Sequence, residues 1–316
     1  MFYANSHWRV LYWFYFMKKR TWKFDWVDAF TREPFGGNGC VVVHDASDVS
    51  FQERLALVRE TSLSECAFLV GSNKADFGVR YYLAETEIPM AGHPTVATVT
   101  SLLSRGLVKV KNGRSRFTLE VGSGVLPIEI EETEQGSLIR MTQMAPKFGK
   151  VFKKEDISRM YGLDPEDILI DPQIVSTGTP FCIVLLKDKD TLSRAKIVPE
   201  KFTEFFHKHQ RDEKDLMEPF LTTLGGVTKE GDTFSRLLMC QSGNQEDPFT
   251  GSATGCMAAY LWHHSLIHSP QFVAEQGHWL NRPGSAEVEV LGSKNNIKGV
   301  KVAGYGRVLM SGVLTL

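Results

Sequence analysis

Two short stretches decide how this chain reads: Pro89-Met90-Ala91-Gly92-His93-Pro94-Thr95 and Pro248-Phe249-Thr250-Gly251-Ser252-Ala253-Thr254. Pro89, Ala91, Gly92 and Thr95 correspond to Pro248, Thr250, Gly251 and Thr254 at a constant offset of 159 residues. Glycine permits an unusual turn, and proline suits the first position of a helix. Val96, Val99, Leu102 and Leu103 then recur at helical spacing until Arg105-Gly106. The second copy opens a helix expected over residues 253–267. Both runs are apolar on most sides, the pattern of a buried helix. One repeat of this length predicts two similar halves; a solenoid would show several shorter periods.

Outward from these turns, strands are expected over residues 23–30, 40–43, 66–70, 79–83, 116–121, 124–130 and 138–141. Residues 31–39 are dense in turn formers and read as a loop. Ser50 and Glu53 form a capping-box signature before a helix that reaches about residue 60. Residues 146–154 read as a linker, followed by a short helix near 154–161. A strand over 173–186 is interrupted at 176–180, and a helix spans 200–209. The charged run 211–218 reads as solvated surface. Strands flank Gly231-Asp232, and further strands occupy 271–275, 286–291 and 308 to the end.

Composition sets bounds without naming a function. At roughly 150 residues per domain, 316 residues suggest about two domains. Apolar residues at 42% and charged residues at 23% exclude wholesale disorder. Lys and Arg total 36 against 37 Asp and Glu, so no basic footprint for nucleic acid is visible. No apolar run approaches the ~20 residues of a membrane helix. The aromatic run Val10-Leu11-Tyr12-Trp13-Phe14-Tyr15-Phe16 is followed by Met17-Lys18-Lys19-Arg20, not by a small-residue cleavage site. Residues 1–20 therefore read as an N-terminal extension, disordered or artefactual, with Met17 the effective start. The five cysteines lie far apart with no C-x-x-C pair, so zinc-knuckle and thioredoxin-type motifs are not present. Scattered thiols suit a reducing compartment, hence the cytoplasm.

A helix N-terminus carries unpaired N–H groups and partial positive charge, which makes it an anion site. Gly92 and Gly251 allow close approach to the backbone. Two such helices, one per half, could grip a small carboxylate. Read alone, His93 is equally a packed histidine, Asp247 a turn initiator, Ser252 an N-cap and Glu65 a strand-flanking carboxylate. Ser252 lies in no G-x-S-x-G elbow, so a serine hydrolase is not supported.

Taken together, the motifs resemble the PhzF family of phenazine-biosynthesis-like isomerases. The resemblance rests on Asp28-Ala29-Phe30-Thr31 with Pro34-Phe35-Gly36-Gly37-Asn38, on Leu63-Ser64-Glu65, on Ala91-Gly92-His93-Pro94, and on Glu246-Asp247-Pro248 with Thr250-Gly251-Ser252-Ala253. Gln276-Gly277 and Arg282-Pro283 match late elements of the family. It runs from about Trp22 to the C-terminus. The implied fold is α+β and diaminopimelate epimerase-like: two pseudo-symmetric halves, each a curved β-sheet wrapped around a central α-helix, with the site between them. The first half would comprise residues 21–144 and 304–316, the second 145–303.

The resemblance also implies the chemistry. Glu65 matches the proton carrier; His93, Asp247 and Ser252 match residues that hold and polarise the substrate. Asn38, Gly92, Thr250 and Gly251 are expected to bind it. The substrate would be a small carboxylated metabolite, with no cofactor, no metal, no nucleic acid and no membrane. A homodimer is an expectation carried from relatives. In epimerase relatives a cysteine precedes each helix-opening glycine; here Ala91 and Thr250 stand there, which disfavours a two-thiol racemase. The family's Gly-Asn-Pro is Gly37-Asn38-Gly39 here, so a more flexible loop is expected. Competing readings are a non-catalytic metabolite- or partner-binding protein on the same scaffold, and a racemase or epimerase using Glu65 with another base.

Overall fold

The computed structural model describes residues 19–209, 219–239 and 246–316. Residues 1–18 of the expected extension and the charged run 211–218 lie outside the described residues. Arg20 already belongs to the fold: its N–H donates to the Leu316 carbonyl and its carbonyl accepts from the Leu316 N–H, both at 3.0 Å.

The strands form two matching series. In the first, Gly306–Thr315, Thr21–Ala29, Asn38–Val43, Cys66–Val70, Phe77–Tyr82, Arg114–Val121, Gly124–Thr133 and Gly136–Gln143 pair in that order. In the second, Lys147–Val151, Gln173–Ser176, Pro180–Leu185, Pro219–Leu224, Thr233–Leu238, Gln271–Gln276, Gly284–Ser293 and Asn296–Gly304 do the same. The third and fourth strands are parallel in both series, as are the fifth and sixth; the remaining neighbours are antiparallel. The final strands of the two series, Gly136–Gln143 and Asn296–Gly304, pair antiparallel and join the halves. The repeat in the sequence is thus a repeat of topology. The strand Gly306–Thr315, last in the chain, edges the first series beside Thr21–Ala29.

Each series curves around one helix. The first central helix, His93–Ser104, is buried from His93 to Leu102; the second, Gly251–His263, is buried at Gly251 and from Ala253 to Leu261. Enclosure by a sheet explains why neither has a polar face. The buried hydroxyls of Thr95, Thr98 and Thr100 donate to the carbonyls four residues back at 2.7, 2.7 and 2.8 Å, so they need no partner elsewhere.

Two strands that build the halves differ from the sequence reading. The expected linker 146–154 contains the strand Lys147–Val151. Lying at an edge and mostly exposed, it carries no alternating apolar face to signal it. The joining strand Asn296–Gly304 was not anticipated; two glycines and two lysines interrupt its apolar pattern, although Val300, Val302 and Ala303 are buried. Gly39 is also no part of a loose loop. It lies inside Asn38–Val43 opposite Asp28, where ladder pairing holds it.

Between the halves, Phe30 and Phe249 stack with ring centroids 4.4 Å apart. Phe30 holds a left-handed backbone, φ 63°. Glycines make room for the pair: a Cβ on Gly251 would lie 2.6 Å from Phe30 Cζ, and one on Gly284 would lie 2.5 Å from Phe249 Cδ2. Arg282 straps the same junction, donating to Asp28 Oδ1 at 2.7 Å, to the Gly37 carbonyl at 2.9 Å and to the Gly36 carbonyl at 3.0 Å. Since Phe249 is held by the stack, Gly284→Ala is expected to destabilise by about 1–3 kcal/mol through overpacking. A lower urea midpoint with an unchanged slope would register it.

Candidate active site

The site begins where the two central helices touch. A Cβ on Gly92 would lie 2.7 Å from Ser252 N and 2.8 Å from Gly251 Cα. The glycines at these positions therefore admit each other's backbone first. The Gly92–Gly251 contact itself leaves no gap for an anion; any such ligand must lie beside it. Neither helix has a side-chain cap at its N-terminus. Thr250 occupies the cap position, yet its hydroxyl donates to Asp247 Oδ2 at 2.5 Å instead. First-turn N–H groups of both helices thus meet in one place without a capping side chain.

A polar cluster spans the two halves at that point. Asn38 begins its strand, His93 begins the first central helix, and Asp247 ends the short strand Glu246–Asp247. Asn38 Nδ2 lies 2.8 Å from Asp247 Oδ1, 3.0 Å from the Phe249 carbonyl and 3.2 Å from His93 Nδ1. Gln276 fixes the loop from below: its Nε2 donates to the Asp247 carbonyl at 2.8 Å and to Thr250 Oγ1 at 3.2 Å, while its Oε1 accepts from Thr250 N at 3.0 Å. Gln143 donates to the Gly251 carbonyl at 2.9 Å and accepts from Thr177 Oγ1 at 2.6 Å.

Burial governs the protonation of this cluster. It pushes the Asp247 carboxyl up to about 6, against the hydrogen bonds from Thr250 and Asn38 that favour the charged form. Burial alone pushes His93 down to about 3, so the imidazole is neutral. His93 Nε2 is buried and has no hydrogen-bond partner among the described residues.

Glu65 lies just before Cys66–Val70, whose first residue pairs with Val41. This parallel register carries Glu65 alongside Cys40, two residues from Asn38. Its charge is felt by the Cys40 and Cys66 thiols and the Tyr81 phenol. The neighbouring Ser64 hydroxyl also acts on Asp247 in the direction that favours its charged form. Ser252 is half-buried in the first turn of the second central helix. Asn38, His93, Asp247, Thr250, Gly92, Gly251 and Ser252 are therefore brought together, with Glu65 on the adjoining strand. Gln276 and Gln143 were not among the expected site residues. Gln276-Gly277 was visible as a motif, but nothing in the sequence shows that its amide serves Asp247.

Among the described residues, the cysteines play no part in this cluster as thiolates. Burial pushes Cys66 up to about 12 and Cys256 up to about 11. A surface groove of about 440 Å³ lies elsewhere, lined by Arg140, Gln271, Glu287, Glu289 and Lys301. Its cations face glutamates on the same sheet surface, Arg140 to Glu131 at 2.5 Å and Lys301 to Glu289 at 3.9 Å. No helix among the described residues is long and apolar enough to cross a membrane.

Two wrapped helices thus meet at their N-termini, with ionisable groups from both halves at the junction. The sequence profile of the phenazine biosynthesis-like proteins, PhzC-PhzF, matches residues 27–312. The chain belongs to that family and is an enzyme of the isomerase class. It is 30% identical to an uncharacterised isomerase of Bacillus subtilis (strain 168), over 86% of this chain and 91% of the relative. It is 26% identical to the trans-2,3-dihydro-3-hydroxyanthranilate isomerase of Pseudomonas aeruginosa, over 90% of this chain and 96% of that one. Among solved structures, the PhzF-family phenazine biosynthesis protein of Bacillus anthracis superposes with a TM-score of 0.81 at 28% identity, covering 93% of this chain and 99% of that one.

The Asp247 shift gives a pH signature. Its folded pKa is raised from 3.8 to about 6, so the folded protein holds this proton more tightly than the unfolded chain. The resulting stabilisation is fully present below about 3.8 and is lost as pH rises through about 6. Relative to Asp247→Asn, the wild-type protein should lose stability between about pH 4 and about pH 7. Paired urea titrations across that range measure the difference.

Proposed function

We propose that this enzyme is a cofactor-independent isomerase of a small carboxylated metabolite, with Glu65 as the acid/base. The observation that carries the reading is the Asn38–His93–Asp247–Thr250 cluster, built from both halves at two uncapped helix N-termini, with Glu65 on the adjoining strand. In this reading the Glu65 carboxylate removes a proton from one substrate carbon and the resulting carboxylic acid returns it to another. The electron pair moves within the substrate, and the enzyme ends as it began. The helix N-termini hold the substrate carboxylate beside the Gly92–Gly251 contact. Asp247, mostly ionised at neutral pH, accepts from a substrate hydroxyl or ammonium group. Ser252 contacts the same ligand.

The named activity of the Pseudomonas relative makes cyclic hydroxy-amino carboxylates the first substrates to test. The cytoplasm fits the buried free thiols of Cys40, Cys66, Cys182 and Cys256, and a homodimer without nucleic-acid partners completes the reading. A two-thiol racemase gains no support from Cys66 and Cys256, whose thiols stay protonated.

The test is deuterium uptake from D₂O into a panel of small carboxylates headed by trans-2,3-dihydro-3-hydroxyanthranilate, read by mass spectrometry. Glu65→Gln should lower uptake by about 10²–10⁴-fold, the range of a general acid/base, with its melting temperature retained. Uptake equal to wild type would refute the assignment of Glu65. Ligand-induced thermal shifts without uptake by the wild-type protein would favour a binding protein.

A further inference from the structure

The NH₂ group of Asn38, a residue expected to touch substrate, is engaged within the protein. Nδ2 donates to a carboxylate oxygen of Asp247 and to the main-chain carbonyl of Phe249, and it also lies beside His93 Nδ1. Turning the amide over would set its oxygen against two oxygens, so the NH₂ face is fixed on this side. A nitrogen that carries only hydrogens then lies 3.2 Å from His93 Nδ1. That ring nitrogen must present its lone pair. In a neutral imidazole the remaining proton is on Nε2. Asn38 and His93 are each 3% exposed, so solvent does not reorganise the arrangement.

We propose that Asn38 is a positioning residue that locks His93 as an Nε2–H donor, and that it does so only while the halves are together. Both oxygen acceptors that orient its amide, Asp247 Oδ1 and the Phe249 carbonyl, come from the second half. Apart from the second half, nothing in these contacts prevents the amide from rotating. His93 then acts only as a hydrogen-bond donor, toward an acceptor oxygen of the ligand; proton transfer at carbon stays with Glu65. The role of the ligand rests on the isomerase reading, whereas the tautomer does not.

The experiment is ¹⁵N NMR of the full chain with labelled histidine. His93 is identified among the nine histidines by its loss in His93→Gln. The wild-type protein should show a pyridine-like Nδ1 and a pyrrole-like Nε2. In Asn38→Asp a carboxylate faces Nδ1, accepts from it and should move the proton there, reversing the two shifts. In Asn38→Ala, the second variant should the first not fold, both shifts should move toward averaged values. With a substrate in hand, kcat in these variants should fall by about 10²-fold, with KM changing less. A protonated Nδ1 in the wild-type protein overturns the proposal. So do shifts that stay unchanged in a folded Asn38→Asp or Asn38→Ala protein. The Glu65→Gln exchange assay tests the isomerase reading separately, so the two can fail independently.

Discussion

Contact between two helix ends organises this molecule. Gly92 meets Gly251 and the Ser252 N–H so closely that Gly92 cannot carry a side chain, and the Phe30 ring excludes one from Gly251. Aligned helix N-termini repel one another, because each concentrates partial positive charge. Something must hold them together, and the structure supplies it around the contact. Phe30 stacks on Phe249, Arg282 straps Asp28 and the Gly36-Gly37 turn, and Gln143 of the first half holds the Gly251 carbonyl. An ionised Asp247 beside the paired ends offsets their field. The site is thus the place where a costly arrangement is compensated, and an anionic ligand would complete the compensation.

Two buried aspartates show how burial is resolved differently at the two ends of one helix. Beyond the C-terminal end of the first central helix, burial would raise the Asp25 pKa. Hydrogen bonds from Arg105, Ser101 and Ser311 outweigh it and hold the carboxyl below its usual range. Arg105 donates at 2.6 and 2.8 Å, so Asp25 is a fixed anion that ties helix, first strand and last strand together. At the N-terminal end, Asp247 has no cationic hydrogen-bond partner among the described residues, and burial prevails. One carboxylate anchors the frame. The other stays responsive near neutral pH, as functional carboxyls tend to be.

Much of this was legible in the sequence because it was written in local rules. The capping box at Ser50 and Glu53 forms, with Glu53 accepting from Ser50 N at 2.8 Å. The glycine-opened apolar helices and the repeat between them follow from periodicity alone. What escaped was information that is not local. The strand Asn296–Gly304 gains its meaning from pairing with Gly136–Gln143, some 160 residues earlier. The amides of Asn38, Gln143 and Gln276 are ordinary polar residues until the chain brings their acceptors to them. The two glycines were read as openings toward a ligand; that they also touch each other is not visible in either stretch alone.

The exchange of the last strand has a consequence for how the protein comes into being. The strand Thr21–Ala29 is among the first parts of the fold to leave the ribosome, and its partner Gly306–Thr315 is the last. Until that partner arrives, Thr21–Ala29 lacks a neighbour on one side, and Asp25 lacks the Ser311 hydroxyl. An open edge of this kind invites pairing with other chains. The first-made half is therefore the last to be finished. Synthesis and strand pairing run in opposite senses here, and the first sheet keeps one open edge until Gly306–Thr315 has been made.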